Sequence, residues 1–199
     1  MELDKSQNLT MGLIYGYYDE LCPNHLQLCD GQQRLTTLFL TIGVLNRLTQ
    51  GRYETLLMSR YEQQEDDYEP YLLYSIRESS LYFISDLVSH YFLQIDEKDK
   101  GLKSISDIVS CPWYLNSYRT DPTVMSIVSA IMTIEEKFRD TSLEILLELG
   151  DFISGIEEDL PHIDFLYYDM KNRHNGEETF VVINTTGEPL TANQNLKPV

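Results

Sequence analysis

Long apolar runs are missing from this chain. The longest, LTTLFLTIGVL from Leu35 to Leu45, is interrupted by threonines and falls short of the roughly 20 residues that a membrane-spanning helix needs. No cleavable apolar segment follows the acidic, polar start MELDKSQN, so nothing here resembles a signal peptide. Basic residues are scarce, 15 against 32 acidic ones, and the net charge is −17. Such a surface repels polyanions, so this chain alone is not expected to grip duplex DNA by its phosphates. Solubility by itself accounts for the charge, and one local positive pocket for a small anion stays compatible with it. The three cysteines (Cys22, Cys29, Cys111) lack metal-ligand spacing and read as free thiols of a cytoplasmic protein. The four histidines (His25, His90, His162, His174) lie far apart. They form neither a zinc ligand set nor the histidine–asparagine arrangement of an HNH nuclease. No repeat or low-complexity tract is present.

What is there suits a folded core, with 42% hydrophobic and 11% aromatic residues over 199 positions. LTMGLIYGYYD reads as a strand, ELCPN as a turn, and HLQLC as a second short strand. The apolar spacing then predicts a helix from Gln32 to about Thr49, with Leu35, Leu38, Phe39, Ile42, Leu45 and Leu48 on one face. EDDYEPYLLYSIR begins as an acidic loop and becomes a strand at Tyr71, which places Arg77 on a partly buried strand. ESSLYFISDLVSHYFLQ predicts one helix, with Leu81, Ile84, Leu87, Val88 and Tyr91 inward. Asp121 followed by Pro122 marks a helix start, and Thr141 with Glu144 forms a capping box for the next helix. HIDFLYYDM alternates as a strand. FVVINTTGEPLTANQNLKPV reads as a helix capped by Gly187 and a new one begun by Thr191. The expected architecture is α+β, a small sheet with a predominantly helical body. Residues 1–60 form its head and residues 61–199 its body, which returns to the head near 162–199.

The stretch LCDGQQRLTTLFL carries the chemistry. Asp30 and Gln33 are explained as a reciprocal helix cap. Gly31 in a first helical turn costs up to about 1 kcal/mol against alanine, and close approach of a ligand to the backbone is one reason to keep it. A cation such as Arg34 in the first turn opposes the helix dipole by about 0.3–1 kcal/mol. An anion on the free N–H groups reverses that sign and recruits the guanidinium as a clamp; a nearby carboxylate is the other partner open to it.

DGQQRLTTL closely resembles the signature of the N-terminal domain family of GmrSD-type, modification-dependent restriction systems. MGLIYGY upstream is similar to the strand of that family, YSIRESS to its Tyr-x-x-Arg-x-Ser-Ser segment, DPTV to a helix start of some members, and FVVINTTGEPLTANQNLKP to its late Asn-x-x-Gly segment. The resemblance spans nearly the whole chain in order. It implies a ParB/sulfiredoxin-like sheet and a nucleotide-binding, NTP-hydrolysing module of a prokaryotic defence protein. A nucleoside triphosphate with Mg²⁺ is the implied cofactor, and an HNH-type nuclease domain or subunit the implied partner. Mapped onto the motif, Asp30 would position a metal or water, Gly31 and Gln32 would present backbone donors beside Gln33, and Arg34 would hold phosphate. The family's usual Pro-x-x-Gln-Arg-x-Tyr-x-Trp segment ahead of the first strand has no counterpart here, so the chain is expected to be truncated at both ends.

Other features have structural readings beside the functional ones. Arg77 is expected in an internal ion pair, with a second phosphate contact as the alternative. In NTTGEPLT the turn residues act as caps, and Asn184 is the one to face a ligand. The fourteen tyrosines fit core and sheet faces better than base stacking, and the acidic stretches are solvated loops rather than metal sites. The competing function is a non-catalytic assembly domain, self-associating or nuclease-bound, in which DGQQR is only a helix cap. Direct recognition of modified bases is opposed by the charge.

Overall fold

A computed structural model of the chain describes residues 7–60, 68–94, 101–156, 160–171 and 174. The architecture is α+β, with a three-stranded sheet, a two-stranded sheet and a helical majority. Two compact units divide it: residues 10–34 with 164–199, and residues 1–9 with 35–163.

The smaller unit is built on an antiparallel hairpin, β1 (Leu9–Asp19) and β2 (Cys22–Asp30). The turn is Glu20–Leu21, closed where Leu21 N donates to Asp19 Oδ1 at 2.9 Å. This corrects the expected ELCPN turn: Asp19 pairs with Cys22, and Pro23 and Asn24 belong to β2. The sheet order is β2-β1-β5, so β2 flanks the sheet among the described residues and tolerates a residue without an N–H. β5 (Ile163–Asp169) lies on the other side of β1. Leu9 N donates to His162 O and Met170 N to Gly16 O, so β1 and β5 run in the same direction. Tyr167 and Tyr168 are about half exposed, and the Tyr168 ring lies 5.8 Å from that of Tyr15.

Helix α1 (Gln32–Leu48) begins in this unit and continues into the helical one. Its buried face carries Phe39, Leu40, Gly43, Val44 and Leu45, whereas Leu48 is exposed. The burial stripe is thus rotated from the expected one. Gly43 is the reason: a Cβ there would stand 2.4 Å from the Phe92 ring, so that ring packs directly on the helix backbone. β3 (Met58–Arg60) and β4 (Tyr68–Pro70) form a two-stranded ribbon. The strand expected from Tyr71 is absent. The strand ends at Pro70, one further bond runs from Tyr71 N to Leu57 O at 3.2 Å, and the chain then passes through bends, with Ile76 92% exposed, to Arg77. α2 (Glu78–Asp86) passes without a break into a π-helical turn, Leu87–Phe92, so the single helix expected there is continuous but changes geometry at Leu87. Phe83, Ile84, Leu87, Val88, Tyr91 and Phe92 are buried in the main core, and Leu81 is only half-buried.

Helix α3 (Pro122–Phe138) starts as expected, with the Asp121 carboxylate accepting from Thr123 N and Val124 N. Helix α4 (Leu143–Ser154) does not use the expected capping box. Its N-cap is Ser142, without a side-chain cap bond, while Thr141 Oγ1 donates back to Lys137 O of the preceding helix. Gly155 ends α4 in the left-handed conformation. The segment FVVINTTGEPLTANQNLKPV lies outside the described residues.

Candidate phosphate-binding turn

β2 hands over to α1 through one residue, Gly31, whose φ is +88°. L side chains rarely adopt that conformation. A Cβ at this position would also stand 2.4 Å from Cγ2 of buried Ile14 on β1. The glycine therefore has a packing reason in addition to any ligand it admits. Gln32 and Gln33 open the helix at the surface, with no acidic residue in the first turn. Gln32 Nε2 turns back to donate to Leu28 O at 2.8 Å, and the first helical N–H groups are donors without intrahelical acceptors.

Arg34 reaches across to β1. Nη1 donates to Met11 O at 2.8 Å and Nη2 to Leu13 O at 2.6 Å, so the guanidinium straddles Gly12. Gly12 has φ +91°, and a Cβ on it would stand 2.7 Å from Nη1. Nη2 also meets Asp30 Oδ2 at 3.1 Å. With Arg34 33% and Asp30 55% exposed, that solvent-screened i,i+4 pair contributes no more than about 1 kcal/mol. These contacts use three of the five guanidinium donors. Arg34 is thus a brace that fixes the turn against β1 and leaves positive charge beside the helix start.

Sequence reasoning passed over two residues of this unit. A glycine inside the apolar strand pattern MGLIYGY was the signal for Gly12. Asp164 on β5 is the other: its Oδ1 atom is buried and meets no donor among the described residues. An acid on the half-buried part of a strand was its only trace.

Asp30, Gly31, Gln32, Gln33 and Arg34 belong to the smaller unit. Arg77 belongs to the helical unit. It sits at the N-cap of α2, half exposed, which corrects its expected place on a buried strand. Its Nη1 is 3.6 Å from Oδ1 of buried Asp121, so the carboxylate partner expected of it is present, but the arginine stands at the surface and the pair is not internal. Asn184 lies outside the described residues. Among the described residues no group of three histidines, cysteines, aspartates or glutamates could hold a metal ion, and no disulfide joins any of the three cysteines.

The family model of the GmrSD restriction endonuclease N-terminal domain matches residues 3–198. The chain belongs to that family. No curated protein and no solved structure matches it.

Several motif segments of this GmrSD N-terminal domain meet within the helical unit. Thr36, just after DGQQR, has its hydroxyl 2.8 Å from that of Tyr74 in YSIRESS. Ser79 and Ser80 of the same segment donate to Asp121 of DPTV, whose side chain is 2% exposed. Burial raises the Asp121 pKa, but donors from Ser79, Thr123 N, Val124 N and Ser80 more than offset it and hold the carboxyl below its ordinary range. One buried carboxylate therefore ties the starts of α2 and α3 together.

Proposed function

We propose that this restriction-endonuclease domain binds a nucleoside triphosphate at the DGQQR turn and hydrolyses it with Mg²⁺. An HNH-type nuclease domain or subunit then cuts the DNA. The observation that carries the reading is the opening of α1: exposed glutamines and no acid in the first turn, entered through a glycine at φ +88°, with a pinned guanidinium beside it. Helix N–H groups and the dipole favour an anion there. Because Arg34 is held by two β1 carbonyls, its charge is placed before any ligand arrives, which lowers the ordering cost of binding.

A magnesium ion that keeps its waters and takes phosphate oxygens requires only one or two protein carboxylates. Asp30, half exposed at the turn, is suited to be one of them. The metal would supply charge stabilisation at the phosphates. The chain's own residues orient them: the amides of Gly31 and Gln32 donate, and Arg34 balances the charge.

The test avoids residues that brace the fold. Gln32→Glu sets a like charge against phosphate, whereas Gln32→Ala removes the bond to Leu28 without adding charge. With ATP, GTP, CTP or UTP and Mg²⁺, the wild type and Gln32→Ala are expected to gain thermal stability and Gln32→Glu to gain none. No shift with any nucleotide would favour the assembly reading, in which the turn is only a cap.

A further inference from the structure

The helical unit contains a cavity of about 410 Å³, none of whose lining residues belongs to the DGQQR motif. Its size suits a small molecule. The C-terminal half of α1 contributes Arg47, the C-terminal part of α3 Met132 and Glu135, the residue after it Arg139, and the approach to the 3₁₀ turn Ile105–Ser110 Lys103.

Arg47 is fixed from three sides. Nη1 donates to Tyr91 O at 2.6 Å, Nη2 donates to Leu102 O at 2.7 Å, and the guanidinium carbon lies 3.8 Å from the centre of the Tyr91 ring. Two carbonyls and a ring hold the group without cancelling its charge. Two carboxylates share the lining with these cations, exposed Glu136 and, beside Arg47, Glu135, whose oxygens already accept from the Tyr91 hydroxyl and from Ile105 N. Burial lowers the Arg47 pKa, and the Tyr91, Glu135 and Asp107 charges only partly offset this. At the rim, Lys103 and Arg139 are exposed, and no ion pair holds either of them among the described residues. Three of only 15 basic residues thus line one cavity in a chain of net charge −17. Met132, half exposed, adds an apolar wall to the same opening.

We infer that this cavity is a second ligand site, for a small organic anion with an apolar body, its charged group on Lys103 and Arg139 and its body against Met132. Arg47 contributes a positioned cation at the floor. A fixed guanidinium loses little freedom on binding, and rim cations add attraction that salt screens.

Three probes separate the contributions: anilinonaphthalene sulfonate carries both charge and body, N-phenylnaphthylamine the body alone, and inorganic phosphate the charge alone. The sulfonate is expected to bind with one-to-one stoichiometry by fluorescence titration, at least about tenfold tighter than either of the others. The double variant Lys103→Glu, Arg139→Glu is expected to weaken it by at least about tenfold, at an unchanged melting temperature. Ser106→Tyr, which narrows the opening, should weaken it as well. Gln32→Glu should leave it unchanged, which keeps this site distinguishable from the nucleotide site. Equal affinity for the sulfonate and the neutral amine would overturn the inference, as would unchanged binding in the rim double variant.

Discussion

Arg34 closes over Gly12. Its guanidinium donates to the carbonyls on either side of that glycine, and Nη1 stands where a side chain at position 12 would have to begin. Two segments of the sequence, MGLIYGY and DGQQR, are therefore one physical unit. The glycine exists so that the arginine can approach, and the arginine exists partly to hold the strand.

That relationship makes Gly12→Ala costly. Alanine at φ +91° is strained, and its methyl displaces Nη1. A loss of about 1–3 kcal/mol is expected, read from urea unfolding. Arg34→Lys should cost about 1–2 kcal/mol, because an ammonium cannot reach two carbonyls and a carboxylate in the fork geometry. An unaltered midpoint for both would refute the bracing role.

At the turn itself, Gly31→Ala combines positive φ with a 2.4 Å approach to buried Ile14. It is expected to destabilise the fold by about 2 kcal/mol or more. In a double-mutant cycle with Ile14→Ala, which is itself destabilising because Ile14 is buried, the coupling should offset less than half of the Gly31→Ala cost, since the φ penalty remains after the methyl has room. Chemical denaturation of the three variants measures the coupling.

Asp121→Asn removes charge from a carboxylate that accepts from two serines and two backbone amides. A cost of about 2–4 kcal/mol is expected. The sign of its pH dependence follows from the lowered pKa. The contribution is fully present above the unfolded aspartate value of about 4 and is lost as pH falls through the folded value. The stability difference between wild type and Asp121→Asn should therefore be constant from neutral pH to about pH 5 and shrink below about pH 4. A gap that widens on acidification would contradict this assignment.

Asn46 is 2% exposed on α1 and uses both ends of its amide, Nδ2 to Phe92 O at 3.1 Å and Oδ1 from Tyr53 N at 2.8 Å. Asn46→Leu leaves both partners unmet, and a loss of about 2–4 kcal/mol is expected by thermal and urea unfolding. A near-neutral result would mean that those backbone groups find other partners.

The Asp164 carboxylate has a buried oxygen with no donor among the described residues. Asp164→Asn should raise the stability of the ligand-free domain by about 0.5–1 kcal/mol, because an amide is cheaper to bury than a charge. A lower melting temperature for this variant would show that the carboxylate stabilises the fold after all.

Much of this was legible from neighbouring residues. The hairpin, the start of α1 at Gln32, the Asp121–Pro122 start of α3 and the alternating β5 all follow from rules that act over a few positions. Several failures have one cause, competition from a partner that the local rule does not count. Thr141 bonds back to α3 instead of capping α4. The α1 stripe turns because the Phe92 ring rests on Gly43, and the strand at Tyr71 fails because β4 ends at Pro70. The DGQQR motif identified the family, yet the direction of Arg34 could not be read from it.

By itself, then, the sequence determined the order of the main helices and of the strands of the three-stranded sheet, the acidic composition and the membership of the GmrSD N-terminal domain family. Periodicity, caps and motifs are local, and they survive without knowledge of what packs where. Only the tertiary structure decided that Arg34 straddles Gly12, that Ser79 and Ser80 share Asp121, and that three cations line one cavity. Each of those joins residues more than 20 positions apart, and the free energy that selects such a contact comes from packing and desolvation across the folded chain.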